Sequence, residues 1–136
     1  MITWNNLDTL TSFKELENVE RVDLVKAMAG ENGAERVKNY SVPMAEGLTY
    51  NYAAKQVDDK VLTALAKLAD EAQLTEKFEA LYNGEVINTG EKRLVLHHMT
   101  RGQLGEAVEA DGVDKRAFYT EQQAKIADFA NKVHAG

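Results

Sequence analysis

Cysteine is absent from this sequence. Disulfides, thiolate catalysis and cysteine-ligated zinc are excluded together, and the chain has no need of an oxidising compartment. No apolar run approaches the roughly 20 residues that span a bilayer. The opening stretch MITWNNLDTLTSF has neither a basic segment nor a continuous apolar one, so it makes a poor signal peptide, and a cytoplasmic location is the default expectation. A basic stripe is missing too. Lys and Arg number 16 against 22 Asp and Glu, a net charge of −6, which lends no support to nucleic-acid binding. Local arginines can still focus positive potential on a small anion. Also missing are the phosphate-binding patterns GxxxxGK[ST] and GxGxxG, the GxSxG nucleophile elbow and the HExxH zinc pair.

What is present reads as an ordinary globular chain. At 44 % hydrophobic and 28 % charged residues the composition argues against wholesale disorder. A length of 136 residues suits one domain, 1–136, burying about two-thirds of its unfolded surface. No repeat, low-complexity tract or flexible linker divides it.

Helix dominates the pattern. TSFKELENV carries a cap candidate, Thr11 or Ser12, with Phe13 and Leu16 three apart. RVDLVKAMAG sets Val22, Val25 and Met28 or Ala29 on one face, with Gly30 as a stop, and AERVKNY adds a further turn. The period then changes to two. Val42 and Met44 alternate, as do Leu48, Tyr50 and Tyr52, around a turn at Glu46-Gly47, which predicts an antiparallel hairpin. Pro43, the single proline, lacks a ladder donor and marks an edge.

Asp58 caps the strongest helix, where Val61, Leu65 and Leu68 recur at 3–4 spacing. TEKFEALYNG gives a shorter helix from Thr75, grouping Phe78, Leu81 and Tyr82 and closing at Gly84. VINTGEKR is expected to be a loop. LVLHHMTR fits a helical face or a buried strand, and periodicity does not separate them. GQLGEAVEADGVDK, with Leu104, Ala107 and Val108, reads as an exposed excursion. A last helix follows, with Phe118, Gln122, Ile126, Phe129 and Val133 as its stripe. The fold class is therefore mainly α with one small antiparallel β-hairpin, an α+β pattern.

The chemistry concentrates in EKRLVLHHMTRGQL. Adjacent His97 and His98 point about 100° apart on a helix, unlike the i,i+4 pairs that hold zinc. The expectation is one histidine buried and hydrogen-bonded, the other exposed or at an interface. Arg93, His97 and Arg101 would form one ridge on a helix, facing either an anion or the acids of neighbouring elements. Paired acids such as Asp58-Asp59 and Asp70-Glu71 read as capping and surface charge. No general acid, nucleophile or metal set is complete, so catalytic, cofactor-binding and metal residues are all expected to be none.

The stretch LYNGEVINTGEKRLVLHHMTR resembles a segment of the glucose-6-phosphate isomerase family of the form MFxGxKINxTExRxVLHxALR. It matches at Gly84, Ile87, Asn88, Glu91, Arg93, Val95, Leu96, His97 and Arg101, and departs at Gly90 and at Met99-Thr100. GLTYNYAAKQV is similar to the family's GLLLDYSKNxI, with Asn51 for aspartate and Ala53-Ala54 for Ser-Lys. Tyr40-Ser41 stands where the family has Phe-Ser. KIADFANKVHAG is similar to the family's MxxFxxxVRxG, which a WKG sequence follows in full-length members.

The resemblance implies the N-terminal helical segment of a larger isomerase with two sugar-isomerase domains of αβα architecture. The parent activity is the metal-free interconversion of glucose 6-phosphate and fructose 6-phosphate through an enediol, a step of glycolysis and gluconeogenesis. Its base, ring-opening and sugar-phosphate residues lie in the absent domains, so this chain is expected to be inactive alone. Asn88, Glu91, Arg93, His97 and Arg101 are expected to be structural or interfacial. Partners would be the remainder of the subunit or a second copy, with sugar phosphate bound only through the full-length enzyme. A stand-alone interaction or regulatory domain derived from the family is the alternative, and a small anion-binding module a third.

Overall fold

The computed structural model describes residues 1–102 and 105–136. These residues are mainly helical, with small two-stranded antiparallel sheets. They divide into two compact units, one of residues 5–72 and one of residues 1–4 with 73–136.

In the 5–72 unit, α1 (Thr11–Glu17) packs against α4 (Asp59–Glu71). The expected side-chain cap on α1 is not local. Leu10 occupies the cap position, and the carboxylate of Glu71 instead accepts from the Thr11 and Ser12 amides at 3.1 and 2.7 Å and from the Ser12 hydroxyl. A side chain from another helix thus satisfies amides that the first turn leaves unpaired. The next helix is only one turn, α2 (Leu24–Ala27), capped by Asp23. Gly30 does not simply end a helix. At φ 56° it breaks α2 from α3 (Gly30–Asn39), which runs longer than the single turn expected.

The hairpin forms as its alternation predicts. Strands β1 (Ser41–Pro43) and β2 (Thr49–Asn51) pair Val42 with Tyr50, and Glu46 and Gly47 take positive φ at the turn. Helix α4 starts as expected, with the Asp58 carboxylate accepting from the Val61 amide at 2.9 Å.

In the other unit, α5 (Leu74–Tyr82) ends two residues before Gly84. The expected loop at VINTGEKR is instead a bulged hairpin, β3 (Val86–Asn88) with β4 (Arg93–Leu94). LVLHHMTR divides between the two forms that periodicity left open, β4 and then a short 3-10 turn over His97–Thr100. The expected excursion contains a further hairpin, β5 (Glu109–Ala110) with β6 (Val113–Asp114), turned at Asp111-Gly112 where both residues have positive φ. Asp-Gly is a strong hairpin dipeptide. Leu104 lies outside the described residues. Gly84, at φ 74°, sits so close to Val108 that an added Cβ would lie 2.3 Å from its methyl. Helix α6 (Lys115–Ala135), capped by Asp114, completes the unit.

Each unit has a thin core. Among the described residues the buried apolar ones are Leu10, Ala53 and Ala64 in the 5–72 unit and Ala80, Met99 and Val108 in the other, and three of the six are alanines. The expected stripe on α6 is largely exposed, with Ile126, Phe129 and Val133 each more than 60 % accessible.

Candidate functional site

The Asn88–Glu91 turn organises the first half of the signature. The Asn88 side-chain oxygen accepts from the Glu91 amide, and its nitrogen donates to the Glu91 carboxylate, both at 3.2 Å. The same carboxylate lies 3.7 Å from the Arg93 guanidinium. Lys92 takes φ 54° within this turn. Both members of the ion pair are mostly exposed, so the pair orients the turn but contributes little stability.

Arg93, His97 and Arg101 do not form a helical ridge. Arg93 is in β4, His97 opens the 3-10 turn and Arg101 follows it, all three exposed. The hairpin wins here because β3 supplies cross-strand hydrogen bonds that an isolated helical turn lacks. The structure therefore gathers Asn88, Glu91 and Arg93 but does not join His97 or Arg101 to them through a side-chain bond among the described residues.

The histidines split as their spacing suggests. His97 is exposed, whereas His98 is half-buried. His98 Nε2 lies 3.1 Å from the Tyr82 carbonyl oxygen, and its ring stacks on the Tyr82 ring at 4.8 Å. Arg116, from the first turn of α6, approaches the same place. Its Nη2 donates to the Tyr82 carbonyl at 2.8 Å, its Nε donates to the Glu106 carbonyl, and its guanidinium carbon lies 5.4 Å from the Tyr82 ring centre. Two buried atoms of this cluster, His98 Nδ1 and Arg116 Nη1, have no hydrogen-bond partner among the described residues.

Sequence pattern missed this cluster. One signal was available: Arg116 is a cation at the positive end of a helix dipole, where arginine is unfavourable unless something else holds it. Arg36 was missed as well. It is buried on α3, donates to the carbonyls of Ala53, Lys55 and Val57 at 2.8, 3.0 and 2.5 Å, and lies over the Tyr40 ring. Burial and the neighbouring Asp59 hold the Tyr40 hydroxyl above its ordinary pKa.

Of two grooves open on the surface, the smaller carries Glu17 and Glu20 beside Arg21. One of about 370 Å³ runs between Leu16, Arg21 and Val61, and one of about 600 Å³ between Trp4, Glu76 and Glu85. Among the described residues no three histidine or acid side chains gather to hold a metal ion.

Comparison with known proteins supplies what this geometry does not. The sequence pattern of the family described as phosphoglucose isomerase matches residues 51–136. A glucose-6-phosphate isomerase of Treponema denticola is 51 % identical over 138 residues, covering 98 % of this chain and 26 % of that protein. One from Treponema pallidum is 42 % identical over 139 residues, covering 99 % of this chain and again 26 % of the relative. The crystal structure of a glucose-6-phosphate isomerase from Chlamydia trachomatis superposes with a TM-score of 0.71 at 28 % identity, covering 92 % of this chain and 25 % of that one. The chain thus corresponds to about the N-terminal quarter of the curated relatives it matches.

Proposed function

The chain belongs to the phosphoglucose isomerase family, and on that premise we propose that it is the N-terminal part of an aldose–ketose isomerase interconverting glucose 6-phosphate and fructose 6-phosphate. The observation that carries this is the match across 98 % of the chain to only 26 % of a glucose-6-phosphate isomerase. By itself the segment is inactive. An enediol mechanism needs a base within hydrogen-bond reach of a substrate carbon-bound proton, and the resemblance places the family's base outside the 26 % of a relative that this chain covers.

Residues 1–136 act as one N-terminal portion whose partner is the remainder of the isomerase subunit, in the cytoplasm. One observation favours this partner: Ile126, Phe129 and Val133 of α6 are exposed, and large exposed apolar surface marks an interaction face. Among the described residues no helix is long and apolar enough to cross a membrane. Asn88, Glu91, Arg93, His97 and Arg101 are structural or interfacial: the first three fix a turn, and the last two stand exposed beside it.

The test is a coupled assay for fructose 6-phosphate formation by the pure 136-residue chain. No turnover above buffer is expected. Turnover that survives repeated purification and tracks the protein would overturn the reading.

A further inference from the structure

The β1–β2 hairpin has two outer edges, and they are not alike. The Tyr52 amide donates to the Tyr40 carbonyl at 2.9 Å and the Met44 amide to the Leu48 carbonyl at 2.7 Å. In this antiparallel register Val42–Tyr50 is the hydrogen-bonded pair between them, so Ser41–Asn51 and Pro43–Thr49 turn their backbone groups outward. On β1 one outward position is Pro43, which has no N–H to offer. On β2 the outward positions are Thr49 and Asn51, each with an N–H and a carbonyl, and the whole strand is exposed. Outside the ladder, no hydrogen bond among the described residues reaches those four groups. Asn51 bonds through its side chain, to the Val37 carbonyl and the Ala53 amide.

One face of the ribbon is equally open. Period-two alternation puts Val42, Met44, Leu48 and Tyr50 on it, each between 43 and 64 % exposed. A two-stranded ribbon is marginal by itself and gains stability from a third strand or a covered apolar face. Residues 41–52 carry one charge, Glu46, so no lysine guards β2 against pairing. We propose that an extended apolar segment of the remaining isomerase polypeptide adds to β2 as a third strand, bonding Thr49 and Asn51 and covering the Tyr50 face. This rests on the reading of the chain as the N-terminal part of an isomerase. The match takes in only 26 % of the Treponema denticola relative, so most of such a protein lies outside these residues. Size disfavours a second copy as the occupant. Three-residue strands joined edge to edge fall far short of the roughly 1,200 Å² that separate chains bury in a stable interface, and they leave both apolar faces in solvent. A tethered segment needs less, because its linker holds it at an effective concentration of about millimolar.

Amide hydrogen exchange, resolved to single residues by electron-transfer fragmentation, tests this on the polypeptide expressed from its own gene. The Thr49 and Asn51 amides should exchange at least about tenfold slower than in an unstructured peptide, the scale of one hydrogen bond each, and equally so on dilution. Thr49→Pro removes one outward donor and spares the β1 ladder. Leu48, at ψ 148°, is already extended, as a residue before proline must be. In this variant the Asn51 amide should lose its protection while Val42 and Tyr50 keep theirs. Unchanged Asn51 protection there would overturn the proposal, since a cover without a strand would then suffice. Fast Thr49 and Asn51 amides in the wild type would overturn it whether or not the variant folds. Protection that falls on dilution would do so too, by assigning the edge to a second copy. Intact mass separates the two readings. A polypeptide of only 136 residues sinks both, whereas a longer one with fast amides sinks the added strand alone.

Discussion

Arg36 and Glu71 show how single side chains replace packing where the core is thin. Arg36 closes residues 53–57 onto α3 by donating to three backbone carbonyls. Hydrogen bonds to a charged group are worth about 1.5–3 kcal/mol each, and a buried carbonyl left unpaired adds a penalty. Arg36→Met should therefore destabilise the chain by about 2–4 kcal/mol, read as a fall in the urea midpoint. Arg36→Lys should not restore it, because an ammonium cannot present the planar fork that reaches separate carbonyls. Recovery to near wild type by lysine would show that charge, not geometry, is what matters at this position.

At the scale of elements, helix ends decide the arrangement. α4 carries its own cap in Asp58, whereas α1 depends on Glu71 from α4. The Ser12 hydroxyl, with the Ser12 and Thr11 amides, holds the Glu71 carboxyl below its ordinary pKa. The sign follows from linkage. A depressed carboxyl contributes stability that is fully present above the unfolded value, near about 4.3, and is lost as pH falls through the lower folded value. The α1–α4 contact should thus weaken on acidification below that range. Glu71→Gln should lower stability at neutral pH and flatten this acid limb, as followed by circular dichroism melts between pH 3 and 7. A variant with the wild-type acid slope would assign the slope to other carboxylates. The Glu15–Lys67 pair between the same helices, at 3.2 Å, is exposed and adds little.

At the scale of the whole molecule, the question is which surfaces a longer chain would cover. Phe129 is 69 % exposed on α6. Phe129→Gln should change the stability of the 136-residue chain by no more than about 0.5 kcal/mol, as for other exposed positions. If a further lobe packs on this stripe in a full-length isomerase, the same change there should cost about 3 kcal/mol, the scale for truncating a buried aromatic. Thermal melts of both forms check this. Equal small effects in the two would mean that the stripe stays in solvent, and the packed-lobe reading of α6 would fail.

The sequence by itself determined the elements whose causes are local. The Asp58 cap, the period-two alternation around Glu46-Gly47 and the long final helix stand in the structure as the pattern requires. It also carried the family, because the segment from Gly84 to Arg101 is specific enough to resemble phosphoglucose isomerases without any coordinates. The Asp-Gly turn at Asp111-Gly112 was equally legible but was outweighed by the surrounding glycines and acids. Tertiary structure decided the rest. β3 and β4 exist because each supplies the other's hydrogen bonds, so a helical reading of Arg93 to Arg101 on spacing alone could not hold. Glu71 as the cap of α1, Arg36 as the clasp of residues 53–57, and the Tyr82–His98–Arg116 cluster all join residues distant in sequence. Periodicity reports which face of an element is apolar; it carries no information about which distant carbonyl or amide a buried charge will meet.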